Sequence, residues 1–265
     1  YPFFRLRFPP SPCIVVTEHG TNHPMATRKL SLITFDIDDT LYSSSDFARL
    51  ARENALKAMI AAGLKIDFKT ASAELDEVVS EFTSNDSHHL DRLLQRIPAE
   101  CLCGINPAIL VASGIVAYRD TVHKSLMPYE DAVDALKRLQ AGGFKLGIVS
   151  QGLTVKQAEK LVRLRILPYV DKQSIFFNEQ LGFSKSNVKF FHRAAARIGV
   201  PDKQCMHVGD RPDRDIDPAN KAGWLTVLNR RSGRYHERPG ETPPAYVIHN
   251  FWDLVEIIEK EFAPA

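Results

Sequence analysis

Residues 30–42 read LSLITFDIDDTLY: a short apolar run, then Asp36, Asp38 and Asp39 within four positions, then Thr40. A run this short and this continuously apolar suits a strand buried on both faces of a parallel sheet. Five segments of the same kind follow, at 144–149 (FKLGIV), 174–177 (SIFF), 205–208 (CMHV), 224–228 (WLTVL) and 245–248 (AYVI). Helical patterns at 130–139, 155–164 and 188–198 fall between them, and one at 251–262 closes the chain. Strand and helix in alternation predict right-handed βαβ units and an α/β fold with a doubly wound, mainly parallel sheet.

One interval departs from this rhythm. Between the first two strands lie about 100 residues with helical patterns at 46–62, 69–82, 89–97 and 107–123, broken at Gly63, Pro98 and Gly104. An all-helical insert behind the first strand predicts a cap domain over 44–126, with the core made of 25–43 and 127–265. Residues 1–24 carry five prolines and no steady period, and Met25 directly precedes the first strand pattern. They read as a non-native or disordered extension. Residues 230–244 read as a surface loop.

The 265 residues carry 34 Lys+Arg against 32 Asp+Glu, with 44% hydrophobic residues. That is too apolar for a disordered chain and too evenly charged for a dedicated nucleic-acid binder. No stretch approaches the roughly 20 apolar residues of a membrane-spanning helix. Cys13, Cys101, Cys103 and Cys205 are too few and too irregular for a disulfide framework, so a cytoplasmic setting is expected. The expected partner is a small molecule, with no nucleic acid and no membrane. Oligomeric state is not legible.

Placement of charge is more informative than its total. In an open α/β sheet, ligands bind beyond the carboxyl ends of the strands. There this sequence has Asp36, Asp38, Asp39 and Thr40, then Ser150, Gln151 and Gly152, then Lys185, then Gly209 and Asp210 with Asp213, Asp215 and Asp217 behind. Carboxylates gathered at one edge repel unless a cation compensates. Oxygen donors with little His or Cys favour a hard ion such as Mg²⁺. A hydroxyl, a lysine and glycine-flanked N–H groups suit phosphoryl oxygens.

FDIDDTLY from Phe35, IVSQG from Ile148, Lys185 within GFSKSN, and VGDRPDRDI from Val208 resemble the four motifs of the haloacid dehalogenase-like (HAD) hydrolase superfamily, in its order. The insert is similar to the helical cap of its phosphoglycolate phosphatase-like subfamily. ARENALKAMIAAGL and GIVAYRDT within it resemble an archaeal-type branch that includes glyceraldehyde 3-phosphate phosphatases.

The resemblance implies a Mg²⁺-dependent phosphatase of a small phosphorylated metabolite, with Asp36 as nucleophile and Asp38 as acid and base. Asp36, the backbone carbonyl of Asp38, and Asp210 would bind the ion, with Asp215 in support. Thr40, Ser150, Gln151 and Lys185 would hold phosphate. An acid at Asp38 fits an alkoxide leaving group better than a halide, against a 2-haloacid dehalogenase. A phosphomutase of the same superfamily is the alternative. A receiver that only accepts phosphate is about half this length and leaves the insert without a role. Ser186 stands where the family usually has Pro, and Gln151 where it has Asp or Asn.

Other residues read more plainly. Asp39 serves the turn, Asp213 competes with Asp215 as the second acid of the last motif, and Asp217 is a solvated or capping acid. His192, His207 and His249 read as packing or surface residues, and Lys189 as a solvated helix residue. Cys101 and Cys103 read as free thiols rather than zinc ligands with His88 and His89. Adjacent histidines on a helix diverge by about 100°. The branch resemblance suggests that Asn85, His88 and His89 touch substrate.

Overall fold

A computed structural model describes residues 28–82, 86–231 and 238–265. The extension read over 1–24, the Asn85 assignment and Cys13 lie outside the described residues. The run read as one strand from residue 30 is two. β1 (Arg28–Leu30) stands apart from the main sheet, and β2 (Leu32–Phe35) enters it. Ser31 makes the break: its N–H donates to Gln204 O at 2.8 Å and its hydroxyl to Gln204 Oε1 at 2.6 Å.

The sheet continues with β3 (Leu146–Ser150), β4 (Ile175–Phe177), β5 (Cys205–Gly209), β6 (Leu225–Asn229) and β7 (Tyr246–Ile248). All six strands are parallel, in the order β4-β3-β2-β5-β6-β7. Past the expected last helix the chain adds β8 (Phe262–Pro264), which pairs in parallel with β1. The helix pattern therefore ends at Glu261 rather than at Phe262, whose side chain Arg28 covers.

Between β2 and β3 come α1 (Ser44–Ala61), α2 (Phe68–Phe82), α3 (His89–Arg96) and α4 (Pro107–Ser125). Their starts follow local chemistry. Ser43 accepts from Asp46 N at α1, and Asn106 accepts from Ala108 N ahead of Pro107 at α4. The four helices share their own apolar cluster, including Leu56, Met59, Leu75, Leu93 and Leu110. Gly114 lets α4 lie close to α1 and α3, because a Cβ there would meet Leu90 Cδ1 at 2.6 Å and Met59 Sδ at 3.0 Å.

The remaining helices are α5 (Glu130–Ala141), α6 (Thr154–Arg163), α7 (Asn178–Leu181), α8 (Val188–Ile198), α9 (Asp217–Lys221) and α10 (Phe251–Glu261). Strand side chains alternate between the faces of the sheet. Ile33, Phe35, Ile148 and Val208 pack with α5 and α10 on one face, and Leu32, Val149, Phe176 and Cys205 pack with α8 on the other. Burial of each such side chain contributes roughly 1.5–3 kcal/mol. This two-sided cover makes the sheet rigid and leaves its carboxyl edge open for chemistry.

Candidate active site

The chain reverses its direction of travel across the sheet at β2, the position where doubly wound folds open a crevice. Register sets Phe35 level with Ile148 on one side and Val208 on the other. Asp36, Ser150 and Asp210 therefore emerge along one edge, and Asp36 N–H is fixed by Val208 O at 2.9 Å.

Asp215 arrives by a different route. After β5 the chain makes a widened, π-type turn over Pro212–Ile216, in which Asp215 N–H donates to Arg211 O at 2.7 Å. The turn folds Asp215 back onto Gly209. A Cβ on Gly209 would lie 2.3 Å from Asp215 Cγ, so only glycine admits this approach.

Asp36, Asp210 and Asp215 each place a carboxylate oxygen within 4.8 Å of the others, and all three are buried. Lys185 is 1% exposed, with Nζ 2.7 Å from Asp36 Oδ1 and ion-paired with Asp215 Oδ1. Three carboxylates against one ammonium leave two uncompensated negative charges when all are ionised. Burial, with Asp215 and Asp38 nearby, pushes the Asp36 carboxyl up to about 6 despite Lys185. Burial, with Asp215, Asp36 and Asp39 around it, carries Asp210 well above the ordinary carboxylate value. Such a pair seeks protons or a cation. The donor set is all oxygen, the set that suits Mg²⁺. The residues fit the ion.

Asp215 is already engaged. Its Oδ1 meets Lys185 and His207 Nε2 (3.1 Å), and its Oδ2 accepts Arg211 N–H at 2.8 Å. Burial opposes its charge, yet Lys185 and His207 hold its carboxyl far below the usual range. Burial likewise opposes the charge on Lys185, and Asp215 and Asp36 outweigh it, so its ammonium is held above the ordinary value. Asp215 thus anchors the lysine that contacts Asp36. Asp213 is turned away, paired with Arg211 Nη2 at 2.8 Å and 38% exposed.

Sequence reasoning missed His207. It is fully buried on β5, with Nδ1 2.9 Å from Thr34 Oγ1 and Nε2 facing Asp215. Burial, with Lys185 close by, pushes its imidazole down to about 4. A neutral ring with a carboxylate at Nε2 carries its proton there, and the Thr34 hydroxyl then donates to Nδ1. The only available signal was its place in the strand before Asp210, two residues from the turn glycine.

Asp38 points elsewhere. Its carboxylate accepts from Lys160 Nζ at 2.7 Å on each oxygen, from the Tyr42 hydroxyl at 2.6 Å, and from Gln157 Nε2 at 3.2 Å. Burial acts against its charge, but Lys160, Tyr42 and Gln157 together hold it below the ordinary value. Its side chain does not join the Asp36 cluster. Nothing in a motif marks Lys160 or Gln157, whose importance comes from where α6 lies.

The structure distributes the other expected residues as follows. Ser150 is buried at the end of β3, beside Phe177 of β4. Gln151 Oε1 accepts from Lys185 N–H at 3.0 Å and Ser184 Oγ at 3.2 Å, so the residue ties the lysine loop to the second motif. Thr40 is fully buried, and its backbone carbonyl accepts from Asn229 Nδ2 at 3.4 Å. Asp39, at φ 54°, takes both the N–H and the hydroxyl of Ser45 and so fixes the start of α1. Asp217 is buried rather than solvated, because it accepts from Glu241 N and Thr242 N and pins the following loop. His88 precedes α3, exposed, with its contacts to Ser87 and Asp86. His89 opens α3, near Asp86.

Among the described residues, the Asp36 cluster is the only group of three or more His, Cys, Asp or Glu close enough for an ion. Cys101, Cys103 and Cys205 are free thiols. No helix among the described residues is long and apolar enough to cross a membrane.

Residues 30–223 match the family described as haloacid dehalogenase-like hydrolase. The chain is 42% identical over 236 residues to a glyceraldehyde 3-phosphate phosphatase of Methanopyrus kandleri, covering 87% of this chain and 98% of the relative. A protein of the same name from Methanocaldococcus jannaschii is 37% identical over 228 residues, covering 86% of this chain and 96% of its own. The fold also matches a crystal structure of a HAD phosphatase from Thermococcus onnurineus, with TM-score 0.60 and 22% identity over 88% of this chain and 99% of that one.

Proposed function

The chain belongs to the haloacid dehalogenase-like hydrolase family, and from that premise we propose that it is a Mg²⁺-dependent phosphatase of a small phosphorylated metabolite, a triose phosphate or similar sugar phosphate. It is a phosphoric monoester hydrolase; the ion, the substrate and a phosphoryl group carried on Asp36 are our reading of the site. The observation that carries this reading is the buried charge imbalance at the sheet edge, where Asp36, Asp210 and Asp215 outnumber Lys185 by two charges.

Asp36 and Asp210 would hold Mg²⁺ together with the backbone carbonyl of Asp38, while Asp215 steadies the group through Lys185. Bound there, the ion supplies positive charge for phosphoryl oxygens and keeps the neighbouring carboxylates ionised. Lys185 occupies Asp36 Oδ1, which leaves Oδ2 to attack phosphorus. The P–O bond to the alcohol breaks as the Asp36–phosphorus bond forms. Ser150 and Lys185 bind the phosphoryl oxygens. Asp38 delivers a proton to the leaving oxygen and then takes one from the water that cleaves the aspartyl-phosphate, releasing phosphate. The ionised Asp38 is the form needed for the second half; for the first it has to part from Lys160 and take up a proton from solvent, which passes to the leaving oxygen. The helices over 44–126 form the cap that sets selectivity, and the core supplies the chemistry.

The test is phosphate release from a panel of phosphorylated metabolites, glyceraldehyde 3-phosphate among them, with Mg²⁺ present. We expect turnover of triose-sized esters and a fall of about 10³-fold or more in Asp36→Asn. Phosphate moved between sugar positions without release would identify a mutase instead. Turnover by Asp36→Asn at a tenth of the parent rate would remove Asp36 from the role.

A further inference from the structure

We infer that Lys160 reads the leaving group: its ammonium contacts an oxygen on the carbon next to the ester carbon, so the enzyme prefers esters that carry a hydroxyl, carbonyl or carboxylate there. The inference rests on the proposed role of Asp38 as the group that meets the leaving oxygen.

An ammonium has three N–H donors. Lys160 gives two of them to Asp38, one to each oxygen at 2.7 Å, and has no other protein partner among the described residues. Its side chain keeps 26% exposure, and with two N–H groups on Asp38 the ammonium has one donor left for a ligand. α6 runs beside the cap at this point, because Arg163, three residues further along, donates to His123 Nδ1 of α4 at 2.8 Å. Any oxygen that hydrogen-bonds Asp38 sits within two hydrogen-bond lengths of Lys160 Nζ, about 5.5 Å at most. An oxygen on the adjacent carbon then falls within direct reach of the third N–H. Binding it draws the ammonium toward the substrate and loosens its grip on Asp38, which has to leave that ion pair to meet the leaving oxygen.

Gln157 keeps this arrangement in register. Its Nε2 donates to Asp38 Oδ2 and to Gln151 O, at 3.2 and 2.9 Å, while its Oε1 is buried without a partner. A buried unpaired acceptor costs about 1–3 kcal/mol. Gly152 makes the room, since a Cβ there would lie 2.6 Å from Gln157 Nε2.

The experiment compares kcat/KM for glycerol 3-phosphate and 2-phosphoglycolate with that for propyl phosphate, which lacks the second oxygen. Wild-type enzyme should favour the oxygenated esters by about tenfold or more, and Lys160→Met should bring the ratio below about threefold. Lys160→Arg, which keeps charge and donors, should retain part of the preference, and it stands in should the Met variant fail to fold. A Lys160→Met enzyme with the parent ratio, or one slowed equally on all three esters, would overturn the inference. Wild-type enzyme that releases phosphate from none of these esters nor from p-nitrophenyl phosphate would instead overturn the phosphatase reading on which it rests.

Discussion

His207 Nε2 lies 3.1 Å from Asp215 Oδ1, the same oxygen that Lys185 grips. A buried line therefore runs Thr34–His207–Asp215–Lys185–Asp36, from a β2 side chain back to the residue that follows β2. Its members come from two strands or their ends, from the turn after β5 and from one loop. The sheet holds one end of the line, and the Asp36 carboxylate is the other.

Removing the imidazole should therefore loosen both the fold and the site. We expect His207→Leu to lower the unfolding free energy by about 1–3 kcal/mol, the cost of leaving buried polar partners short of a bond. Urea denaturation measures this. A variant as stable as the parent would show that the line contributes nothing to stability.

Cation binding should be visible without turnover. Mg²⁺ should raise the melting temperature of the parent protein, because binding to the folded state alone adds about 2.7 kcal/mol at a hundredfold excess over Kd. EDTA should reverse the gain and remove activity, and added Mg²⁺ should restore both. Asp210→Asn deletes one of the two strained carboxylates and should lose most of the thermal gain. An equal shift in that variant would place the ion elsewhere.

Away from the site, Asp253 gives a pH signature. It completes the capping box of α10, accepting from His249 N and Asn250 N, and these bonds hold its carboxyl below the ordinary value. Its contribution is present above the unfolded carboxylate value, near ~4, and is lost as pH falls through the lower folded value. Asp253→Ala should cost about 1 kcal/mol at neutral pH. The gap from the parent should close in strongly acidic solution. A gap that widened on acidification would contradict the assignment.

Local rules carried far in this chain. Short apolar runs gave the six strands of the sheet, because strands buried on both faces need no alternation. The 3.6-residue patterns, with the breaks at Gly63, Pro98 and Gly104, gave the long helices of the insert. The split at Ser31 and the added strand over Phe262–Pro264 escaped because three-residue strands have too few residues to show a period. Asp36, Ser150 and Asp210 were legible at one edge because strand ends of a parallel sheet converge wherever the order is doubly wound, and Lys185 reaches them only after α7 and a loop. Asp217 reads as a solvated or capping acid until the loop it pins is seen in place.

Sequence alone, then, determined that Asp36, Ser150 and Asp210 come together at the sheet edge, since parallel pairing leaves the direction of their strands no freedom. Only the tertiary structure decided what each of them does there. Asp215 or Asp213, His207 as partner or filler, Asp38 beside Asp36 or beside Lys160: each is settled by contacts between segments far apart in the chain. Such contacts depend on a π-type turn, a missing Cβ and the lie of α6 against the first loop. Hydrogen bonds and ion pairs form only at short range and in definite directions, and no local pattern in the sequence encodes those distances.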